Sequence, residues 1–496
     1  MPNMKINVVF VKAELVVDNL LVVPITEEEC KEKGSYPKQL NTAIENKDFK
    51  GELNQTLVIY PEHNYSAKRV LYIGLGKESE INKEKLRRTY SSAAKVARSL
   101  KSGTYSVLLP IIKSIDSINV AKAVTEGLLL GSYNFLKYKT EKKELPPELK
   151  GITMILSSQS NVTDIRRAVE KTKLICENVN FIRNLVNENS KDKNALLIEG
   201  MARKIARTHR IRIGVITERE MKRLGMNLML AVNSGARKPT RLIIMSYFGK
   251  PNSKEKYVVV GKGVIFDSGG LNLKLTGNME NMKSDMAGAA TVLGLVKVIA
   301  ELRMKINIVA MMPLCENMIG SNSYKPGDVF VAYNKKSVEI TNTDAEGRLI
   351  LADALAYAVD RVKPKLMIDL ATLTGACIVA LGNSIAGLMG NNEDYVEKLK
   401  QSSKETGEMV WELPLNDDFK ELSKSQIADI ANSSRSKGTA GAIEGGMFLK
   451  NFVGKTPWMH LDIAGPAYMA EADFNYMVKG GTGFGLRLLV DFFEKI

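Results

Sequence analysis

The chain of 496 residues is longer than a single hydrophobic core usually organises, which predicts two domains. With 45% hydrophobic and 25% charged residues it fits a globular protein, so a disordered, collagen-like or disulfide-scaffold class is excluded. Lys and Arg outnumber Asp and Glu by 70 to 55, a net charge of +15, and there are only three histidines. A site that needs several imidazoles would use nearly all of them.

The four cysteines are widely separated and form no Cys-x-x-Cys pair, which argues against a zinc knuckle or a redox dithiol and suits a reducing compartment. The first residues show no secretion-signal pattern, and no uncharged apolar run approaches the ~18 residues that span a bilayer. We therefore expect a cytoplasmic protein without a membrane partner.

Short apolar runs alternate with helix-like stretches through the first third of the chain, which indicates an α/β fold. Strands are predicted at 6–11, 20–23, 57–60, 70–73, 106–109 and 152–156, and helices at 83–101 and 120–133. The Lys/Glu/Pro-rich segment 141–150 predicts a surface loop. A long amphipathic pattern from Asp164 to Asn187 predicts a helix, and we expect the domain boundary in or near it.

The α/β alternation resumes from about Asn194. Helices are predicted at 195–208, 286–302 and 349–362, and strands at 212–216, 241–245, 257–260, 306–311 and 366–370. The helix at 286–302 is apolar on most faces, so we expect it to be buried against a sheet. The sequence thus predicts an N-terminal α/β domain at 1–165, a linker helix at 166–190, and a larger α/β domain at 191–496 with a central mixed sheet.

One stretch places charged side chains among apolar ones. A strand-like run, Tyr257–Gly261, precedes Lys262, Asp267, Lys274 and, at the start of the apolar helix, Asp285. Burying an amine or a carboxylate is costly unless it is paired or bound to a metal. For Asp285 alone, the ordinary alternative is a helix N-cap. For Lys262 and Asp267, it is a structural ion pair.

A second stretch holds Asp344, Glu346 and Arg348 at intervals of two residues. Residues two apart in an extended or looping backbone point the same way, so we expect these side chains to face one locus before a helix begins near Leu349. The ordinary alternative is a solvated turn with acidic residues at a helix start.

Together the two stretches supply four carboxylates, two lysines and one arginine. Two divalent cations would balance the four carboxylates if Lys262 coordinated as the free amine. Removing that proton at pH 7 costs about 4.6 kcal/mol from an ordinary lysine pKa of ~10.4, which a directly bonded dication can supply. Oxygen donors with one nitrogen suit Zn²⁺, Mn²⁺ or Mg²⁺, and such a site needs no histidine.

Two uninterrupted motifs resemble those of one known family. Asn342–Leu349, Asn-Thr-Asp-Ala-Glu-Gly-Arg-Leu, matches the signature of the leucyl aminopeptidase (cytosol aminopeptidase, peptidase M17) family, and Val260–Gly270 matches its other metal-site motif. The resemblance covers the chain from about residue 180 onward, through Lys274, Asp285 and the segments at 372–375, 458–465 and 481–485. In the N-terminal third it is confined chiefly to 126–135.

The resemblance implies a peptidase with two divalent ions, Mn²⁺ or Zn²⁺, that activate a water and bind the α-amine of the peptide. By resemblance Asp267 and Glu346 bridge the ions, and the other ligands are Lys262, Asp285 and Asp344. Lys274 is the expected stabiliser of the oxyanion. Arg348 is the expected holder of a bicarbonate that moves the proton.

The resemblance also implies substrates and assembly. The expected substrates are peptides with a free N-terminus, from which leucine and other apolar residues are released in intracellular protein turnover. By resemblance the side-chain pocket is lined by Met282, Thr372, Leu373, Gly375, Ala464 and Ala467, for which the ordinary alternative is core packing. A macro-like fold for 1–165, catalysis by 191–496, and a homohexamer built as a dimer of trimers are implied as well.

Two other functions stay open at this point. A dinuclear-metal phosphoesterase could use the same carboxylates, although a ligating lysine favours the peptidase. The net charge prompts DNA binding, but the charge is spread, with 28 basic against 21 acidic residues in 1–180 and 42 against 34 in 181–496. The densest basic cluster, 203–212, fits a solvated helix face equally well.

The sequence also leads to expectations for His460 and for the segment 188–194. We expect His460 to be a buried, hydrogen-bonded residue and not a metal ligand. After Asn187 the family commonly has a proline-rich turn, whereas this chain has Glu-Asn-Ser-Lys-Asp-Lys-Asn at 188–194. This departure predicts a looser start of the second domain.

Overall fold

The structure is a computed structural model, which describes residues 4–32, 36–61, 65–141, 145, 147–159, 161–434, 439–471 and 475–496. The chain forms two compact units. Unit 1 comprises Met1–Asn180 and Ala472–Val478, and unit 2 comprises Phe181–Glu471 and Lys479–Ile496. Both are built from helices and sheets, which confirms the predicted α/β fold class. His63 and part of the predicted loop at 141–150 lie outside the described residues.

Unit 1 alternates strands and helices. Its strands are β1 (Lys5–Phe10), β2 (Leu21–Ile25), β3 (Thr56–Ile59), β4 (Val70–Gly74), β5 (Thr104–Leu108) and β6 (Gly151–Leu156). Its helices are α1 (Glu27–Lys31), α2 (Lys38–Glu45), α3 (Lys83–Ser99), α4 (Ser117–Gly131) and most of α5 (Val162–Asn187). The sequence predicts every one of these except α1 and α2.

The six strands form one sheet in the order β1-β6-β5-β2-β4-β3, parallel except for the β3–β4 pair. The inner strand β4 is buried along its whole length, as is typical of a parallel sheet covered on both faces. Helices α3 and α4 pack closely because α4 carries Gly127, where a Cβ would lie 2.4 Å from the carbonyl oxygen of Arg87.

Unit 2 begins within α5 and contains the remaining elements. Its helices are α6 (Ala195–His209), α7 (Glu218–Leu224), α8 (Asn227–Val232), α9 (Ala287–Glu301), α10 (Glu346–Arg361), α11 (Gly375–Leu381), α12 (Glu393–Thr406), α13 (Gly441–Lys450) and α14 (Leu486–Glu494). The strands of its large sheet are β7 (Arg212–Thr217), β8 (Arg241–Phe248), β9 (Tyr257–Gly261), β10 (Gly263–Asp267), β11 (Asn307–Asn317), β14 (Leu366–Ala371), β15 (Ile385–Gly390), β16 (Met409–Glu412) and β18 (Trp458–Asp462). Short strands make two small sheets: β12 (Val329–Val331), β13 (Ser337–Glu339) and β17 (Ile430–Ala431), and β19 (Tyr468–Met469) with β20 (Gly480–Gly481).

The large sheet has the order β16-β15-β18-β14-β9-β11-β8-β7, with β10 beside β11. Its inner strands β18, β14, β9 and β11 run parallel, whereas β8 and β15 are antiparallel to their inner neighbours. The predicted central mixed sheet is therefore confirmed. Within the described residues, no helix combines the length and the apolar character needed to cross a bilayer.

Helix α9 packs against the centre of this sheet and is buried on nearly every face, as its composition predicts. Glycines at the crossing allow the close approach: a Cβ on Gly261 of β9 would lie 2.3 Å from the carbonyl oxygen of Gly288 in α9. The approach brings the start of α9, and with it Asp285, toward the ends of β9 and β14. Position 261 thus needs glycine for packing.

Candidate active site

The inner strands of unit 2 place the predicted polar residues at one edge of the large sheet. Lys262 follows β9 directly and Thr372 follows β14, its parallel neighbour. β10 runs parallel to β11 and ends at Asp267, opposite Asn317. Because the carboxyl ends of parallel strands meet at the same edge, these side chains converge although they are distant in sequence.

Lys262 lies at the centre of one half of the cluster and is only 3% exposed. Its Nζ lies 2.9 Å from Asp285 Oδ2 and 2.8 Å from Glu346 Oε1, and it donates a 2.7 Å hydrogen bond to the Thr372 carbonyl. The lysine fits beside α10 because residue 347 is glycine: a Cβ there would lie 2.5 Å from Lys262 Cε. The glycine of the Asp-Ala-Glu-Gly-Arg sequence is therefore required by this packing.

Lys274 joins the other two carboxylates. Its Nζ lies 2.8 Å from Asp267 Oδ2 and 2.6 Å from Asp344 Oδ1. One carboxylate oxygen from each of Asp267, Asp344 and Glu346 lies within 4.8 Å of the others, which is a spacing that a metal ion can bridge. The five predicted ligands and Lys274 thus form one connected group.

The helix N-cap alternative for Asp285 is wrong. Asp285 closes a 3₁₀ turn at Met282–Ser284, and the residue that precedes α9 is Met286, which makes no side-chain cap. The carboxylate of Asp285 instead accepts a 2.6 Å hydrogen bond from Thr372 Oγ1 through Oδ1 and faces Lys262 through Oδ2. Its side chain is directed into the cluster.

The predicted start of the helix near Leu349 is also wrong. Helix α10 begins at Glu346, three residues before the predicted start, so Glu346 and Arg348 both lie in its first turn. They nevertheless line the same cavity as Asp344. The guanidinium of Arg348 donates through NH1 to the Asn432 carbonyl and to Glu444 Oε1, each at 2.8 Å.

Burial is the largest influence on the ionisation of the cluster. It raises the pKa of Asp344 to about 6, with Asp267 and Glu346 adding to the rise and Lys274 opposing it. Burial likewise raises the pKa of Asp285 well above its usual value, and Lys262 opposes that shift. For Lys262 burial lowers the pKa, but the neighbouring carboxylates raise it more, so the charged amine is favoured. Additional positive charge would relieve the repulsion among the carboxylates.

The residues present fit a divalent cation. Four carboxyl groups share a largely buried place with only two amines, those of Lys262 and Lys274, so the acidic groups outnumber these amines by two. Glu346 Oε2 is buried and accepts a hydrogen bond from none of the described residues. A buried acceptor in that state is costly, and a cation would satisfy it. Carboxylate oxygens with one amine nitrogen are a donor set that Mn²⁺, Zn²⁺ or Mg²⁺ accepts.

Several residues that support the cluster are not singled out by the sequence. Asn317 donates to Asp267 Oδ1 at 2.8 Å, and Thr343 donates to the Gly269 carbonyl at 2.7 Å, which fixes the loop between two proposed ligands. Glu444 pairs with Arg348 from α13. An acidic residue among glycines and apolar residues in 441–449 is the signal that could have identified Glu444. The signal for Asn317 is weaker: it is a polar residue at the end of an apolar strand.

A cavity of about 640 Å³ contains the cluster. All seven residues assigned to metal binding or catalysis by resemblance line it, together with five of the six pocket residues, namely Met282, Thr372, Leu373, Gly375 and Ala464. Ala467 is buried and does not line this cavity. Its backbone instead bonds to Ile463 and Thr482.

His460 is buried and lies in β18, where its Nδ1 is 2.6 Å from Asp369 Oδ1. The same carboxylate accepts a 2.7 Å hydrogen bond from Trp458 Nε1. Burial lowers the pKa of His460, and the carboxylate of Asp369 raises it more, for a net rise. The expectation of a buried, hydrogen-bonded histidine is confirmed.

Comparison with known proteins identifies the family of this chain. The catalytic-domain model of the cytosol aminopeptidase family matches residues 180–490, and the N-terminal-domain model of the same family matches residues 22–142. A probable cytosol aminopeptidase of Clostridium tetani is 39% identical over 93% of both chains. A variant of tomato leucine aminopeptidase has a TM-score of 0.88 at 31% identity, over 100% of this chain and 97% of that one. The bottromycin maturation enzyme BotP in complex with Mn has a TM-score of 0.86 at 27% identity, over 97% and 99%. The chain belongs to the cytosol aminopeptidase family and is a metal-dependent aminopeptidase, a hydrolase that acts on peptides.

Proposed function

We propose that the chain releases unsubstituted N-terminal amino acids, preferably leucine and other apolar residues, and uses two divalent ions, Mn²⁺ or Zn²⁺, per subunit. The observation that carries the proposal is the buried acidic cluster around Glu346, in which a carboxylate oxygen has no donor among the described residues. BotP, a structural relative, was solved with Mn.

The proposed ligands are those that the resemblance names. Asp267 and Glu346 would be shared between the ions, Lys262 and Asp285 would complete one site, and Asp344 the other. The pairing of Lys262 with Asp285 and of Lys274 with Asp344 supports this division into two halves. When bound, the ions would lower the pKa of a water and hold the α-amine and the scissile carbonyl of the peptide.

Lys274 is proposed to stabilise the oxyanion. Burial lowers the pKa of its amine, but the carboxylates of Asp267, Glu346 and Asp344 raise it more, so the amine is a charged hydrogen-bond donor at neutral pH. It lines the cavity, where an ammonium can donate to an oxygen that gains charge in the transition state. This role requires that Lys274 be distinct from Lys262, which is enclosed by two other carboxylates and a carbonyl.

Arg348 is proposed to hold a bicarbonate that moves the proton. Only NH1 of its guanidinium is hydrogen-bonded within the described residues, to Asn432 and Glu444, so the Nε and NH2 donors remain for a planar anion. Arg348 is buried and lines the cavity that would hold the substrate. Among the residues that the structure describes, no histidine lines the cavity as a competing base.

The preference for apolar residues would come from the walls of the cavity. Met282, Leu373, Ile378 and Ala464 supply apolar surface beside the acidic cluster. A leucine side chain buried there would gain roughly 1.5–3 kcal/mol relative to leaving it in water. A charged side chain would lose hydration without a partner on those walls.

Organisation, assembly and location are proposed as the resemblance implies. The proposed domains are 1–165 (macro-like), 166–190 (linker helix) and 191–496 (catalytic), and the proposed assembly is a homohexamer, a dimer of trimers. A cytoplasmic location is proposed from the names of the relatives. Family membership favours the peptidase over a phosphoesterase. The basic cluster at 203–212 belongs largely to α6, where Arg203 pairs with Glu199 at 2.8 Å, so DNA binding is not proposed.

The test is a substrate comparison with purified protein and added Mn²⁺ or Zn²⁺. We expect release of leucine from a leucyl peptide, slower release of a charged first residue, and no cleavage of the same peptide after N-acetylation. Equal cleavage of the free and acetylated peptides would contradict recognition of the free amine. Equal rates for leucyl and lysyl peptides would contradict the apolar preference.

A further inference from the structure

The segment that departs from the family's proline-rich turn contains a fully buried lysine. Lys193 has 0% exposure and is among the largest completely buried side chains of the chain. Its Nζ donates to the carbonyls of Leu185 at 3.1 Å, Val186 at 3.2 Å and Lys283 at 2.8 Å. An ammonium group has three donors, so all three are used.

Two of these acceptors belong to the C-terminal end of α5. The last four carbonyls of a helix have no partner within it, and the helix end carries partial negative charge. An ammonium placed there donates hydrogen bonds to these carbonyls and neutralises the partial negative charge. The expected looseness of 188–194 is therefore wrong at Lys193, since this residue ties the segment to the helix that precedes it.

The third acceptor, the carbonyl of Lys283, connects Lys193 to the candidate active site. Lys283 lies in the 3₁₀ turn Met282–Ser284, and its own Nζ donates to the carbonyl of Asn187, the last residue of α5, at 3.1 Å. Both lysine side chains therefore join α5 to this turn. We call Lys193 and Lys283, with these four hydrogen bonds, the lysine clamp.

The turn held by the clamp carries two residues of the candidate site. Met282 lines the cavity, and Asp285 closes the turn and faces Lys262. The turn's backbone hydrogen bonds are local, from Met282 to Met279 and from Ser284 to Asn281. Local bonds shape the turn but do not hold it to α5, whereas the hydrogen bonds of the clamp join the two.

Opposing influences act on the charge of Lys193 in the clamp. Burial lowers the pKa of Lys193 to about 7, the charge of Lys283 adds to the decrease, and Glu188 opposes it. Three carbonyl acceptors favour the charged form. If the lysine only filled space, an apolar residue of similar volume could replace it with little loss of folding free energy. The buried charge therefore indicates a role beyond space filling.

We propose that Lys193 is a positioning residue for the active site: through the lysine clamp it holds the Met282–Asp285 turn, and with it a metal-ligand carboxylate and one wall of the substrate pocket. The inference rests on the proposed function, since it concerns the same site. It assigns to Lys193 no contact with substrate or metal.

The test replaces Lys193 by a side chain of similar length without donors. Lys193→Met is compared with Lys191→Met, an exposed lysine two residues away. Affinity for Mn²⁺ is measured on metal-free protein by equilibrium dialysis, and KM and kcat for leucyl-para-nitroanilide are measured at saturating Mn²⁺. We expect Lys193→Met to bind Mn²⁺ about 10–100-fold more weakly and to raise KM more than it lowers kcat, because supporting residues commonly have effects of this size. Lys191→Met should equal the wild type.

Wild-type Mn²⁺ affinity and KM in folded Lys193→Met would overturn the inference, even if its thermal stability were reduced. If Lys193→Met does not fold, Lys283→Met removes the reciprocal bond, and unchanged affinity and KM in that variant would overturn it equally. If the wild-type protein neither binds Mn²⁺ nor cleaves the substrate, the proposed function itself is contradicted. If the wild type is active and Lys193→Met matches it, only the inference about Lys193 is contradicted.

Discussion

Units 1 and 2 both pack helices against a sheet whose inner strands are parallel, but they bury charge differently. In the described part of unit 1, Arg87 is the only buried charged side chain, and it pairs with Glu84 and Glu126. Unit 2 buries many titratable side chains, among them Lys262, Asp267, Asp285, Glu346, Arg348, Asp369, His460 and Asp462.

The difference separates stability from chemistry. An apolar strand such as β4 stabilises its unit by burial and backbone pairing, whereas each buried charge of unit 2 loses hydration and needs a specific partner. The partners in unit 2 are strand-end carbonyls, opposite charges and, by the proposal above, metal ions. Substitutions in the two units should therefore have different consequences, and the following predictions test that contrast.

The largest effect is expected for Glu346→Gln in unit 2. The amide keeps the shape of the side chain but removes the charge and one acceptor oxygen beside Lys262. We expect metal content and activity to fall together, with activity reduced by about 1,000-fold or more. Metal analysis and leucyl-para-nitroanilide hydrolysis check this, with Glu393→Gln, at an exposed position of α12, as the control. Full metal occupancy with normal turnover would exclude Glu346 from the site.

Lys274→Met should separate metal binding from turnover. The oxygen donors of Asp267 and Asp344 remain, so we expect Mn²⁺ to be retained. Loss of one donor to the oxyanion should reduce kcat by about 100–1,000-fold. The exposed Lys254→Met serves as the matched control. Loss of Mn²⁺ from Lys274→Met would indicate that Lys274, and not only Lys262, contributes to the metal site.

Leu71→Ala tests the other side of the contrast. Leu71 lies in β4 with 0% exposure, and its truncation should reduce the free energy of unfolding of unit 1 by about 2–5 kcal/mol. Calorimetry measures this reduction, and Leu15→Ala at a 69% exposed position is the control. At a temperature where the variant stays folded, Mn²⁺ affinity and kcat should match the wild type. A large change in either would mean that unit 1 shapes the site.

The smallest effect concerns pH and Asp353 of α10. Burial raises the pKa of Asp353 to about 7, opposed by the amides of Tyr333, Met229 and Leu228. The ordinary pKa of an aspartate is about 3.9, so between these values the folded state binds more protons than the unfolded state. Stability from this residue therefore decreases as pH rises, by about 2 kcal/mol from pH 5 to pH 7.

The measurement is urea unfolding followed by tryptophan fluorescence, since both tryptophans, Trp411 and Trp458, lie in unit 2. The stability of the wild type minus that of Asp353→Asn should decrease between pH 5 and pH 7. A difference that stays constant across this range would contradict the raised pKa.

The sequence predicts much of the fold because the long elements have clear patterns. Apolar strands such as β9 and the apolar helix α9 are evident from periodicity. The short helix α1 is not predicted, although Thr26 and Glu29 form a capping box whose spacing is visible in the sequence. The start of α10 is placed too late because Asp344–Arg348 lacks an apolar period, and tertiary contacts decide the boundary.

The candidate site is predictable only where its residues lie in the two motifs. Lys262, Asp267, Asp344 and Glu346 stand out as charges beside apolar runs. Glu444 comes from a helix about 100 residues away, and only the fold brings it to Arg348. Lys193 could not be predicted either, because nothing in a polar segment indicates that one of its lysines is buried.

The central claim is that the buried cluster of unit 2 binds two metal ions for peptide hydrolysis. Anomalous X-ray diffraction from crystals grown with Mn²⁺ tests it most directly. We predict two anomalous peaks, both within about 2.5 Å of carboxylate oxygens of Asp267 and Glu346. Peaks only elsewhere in the chain, or no peak at the cluster in protein that hydrolyses leucyl peptides, would contradict the account.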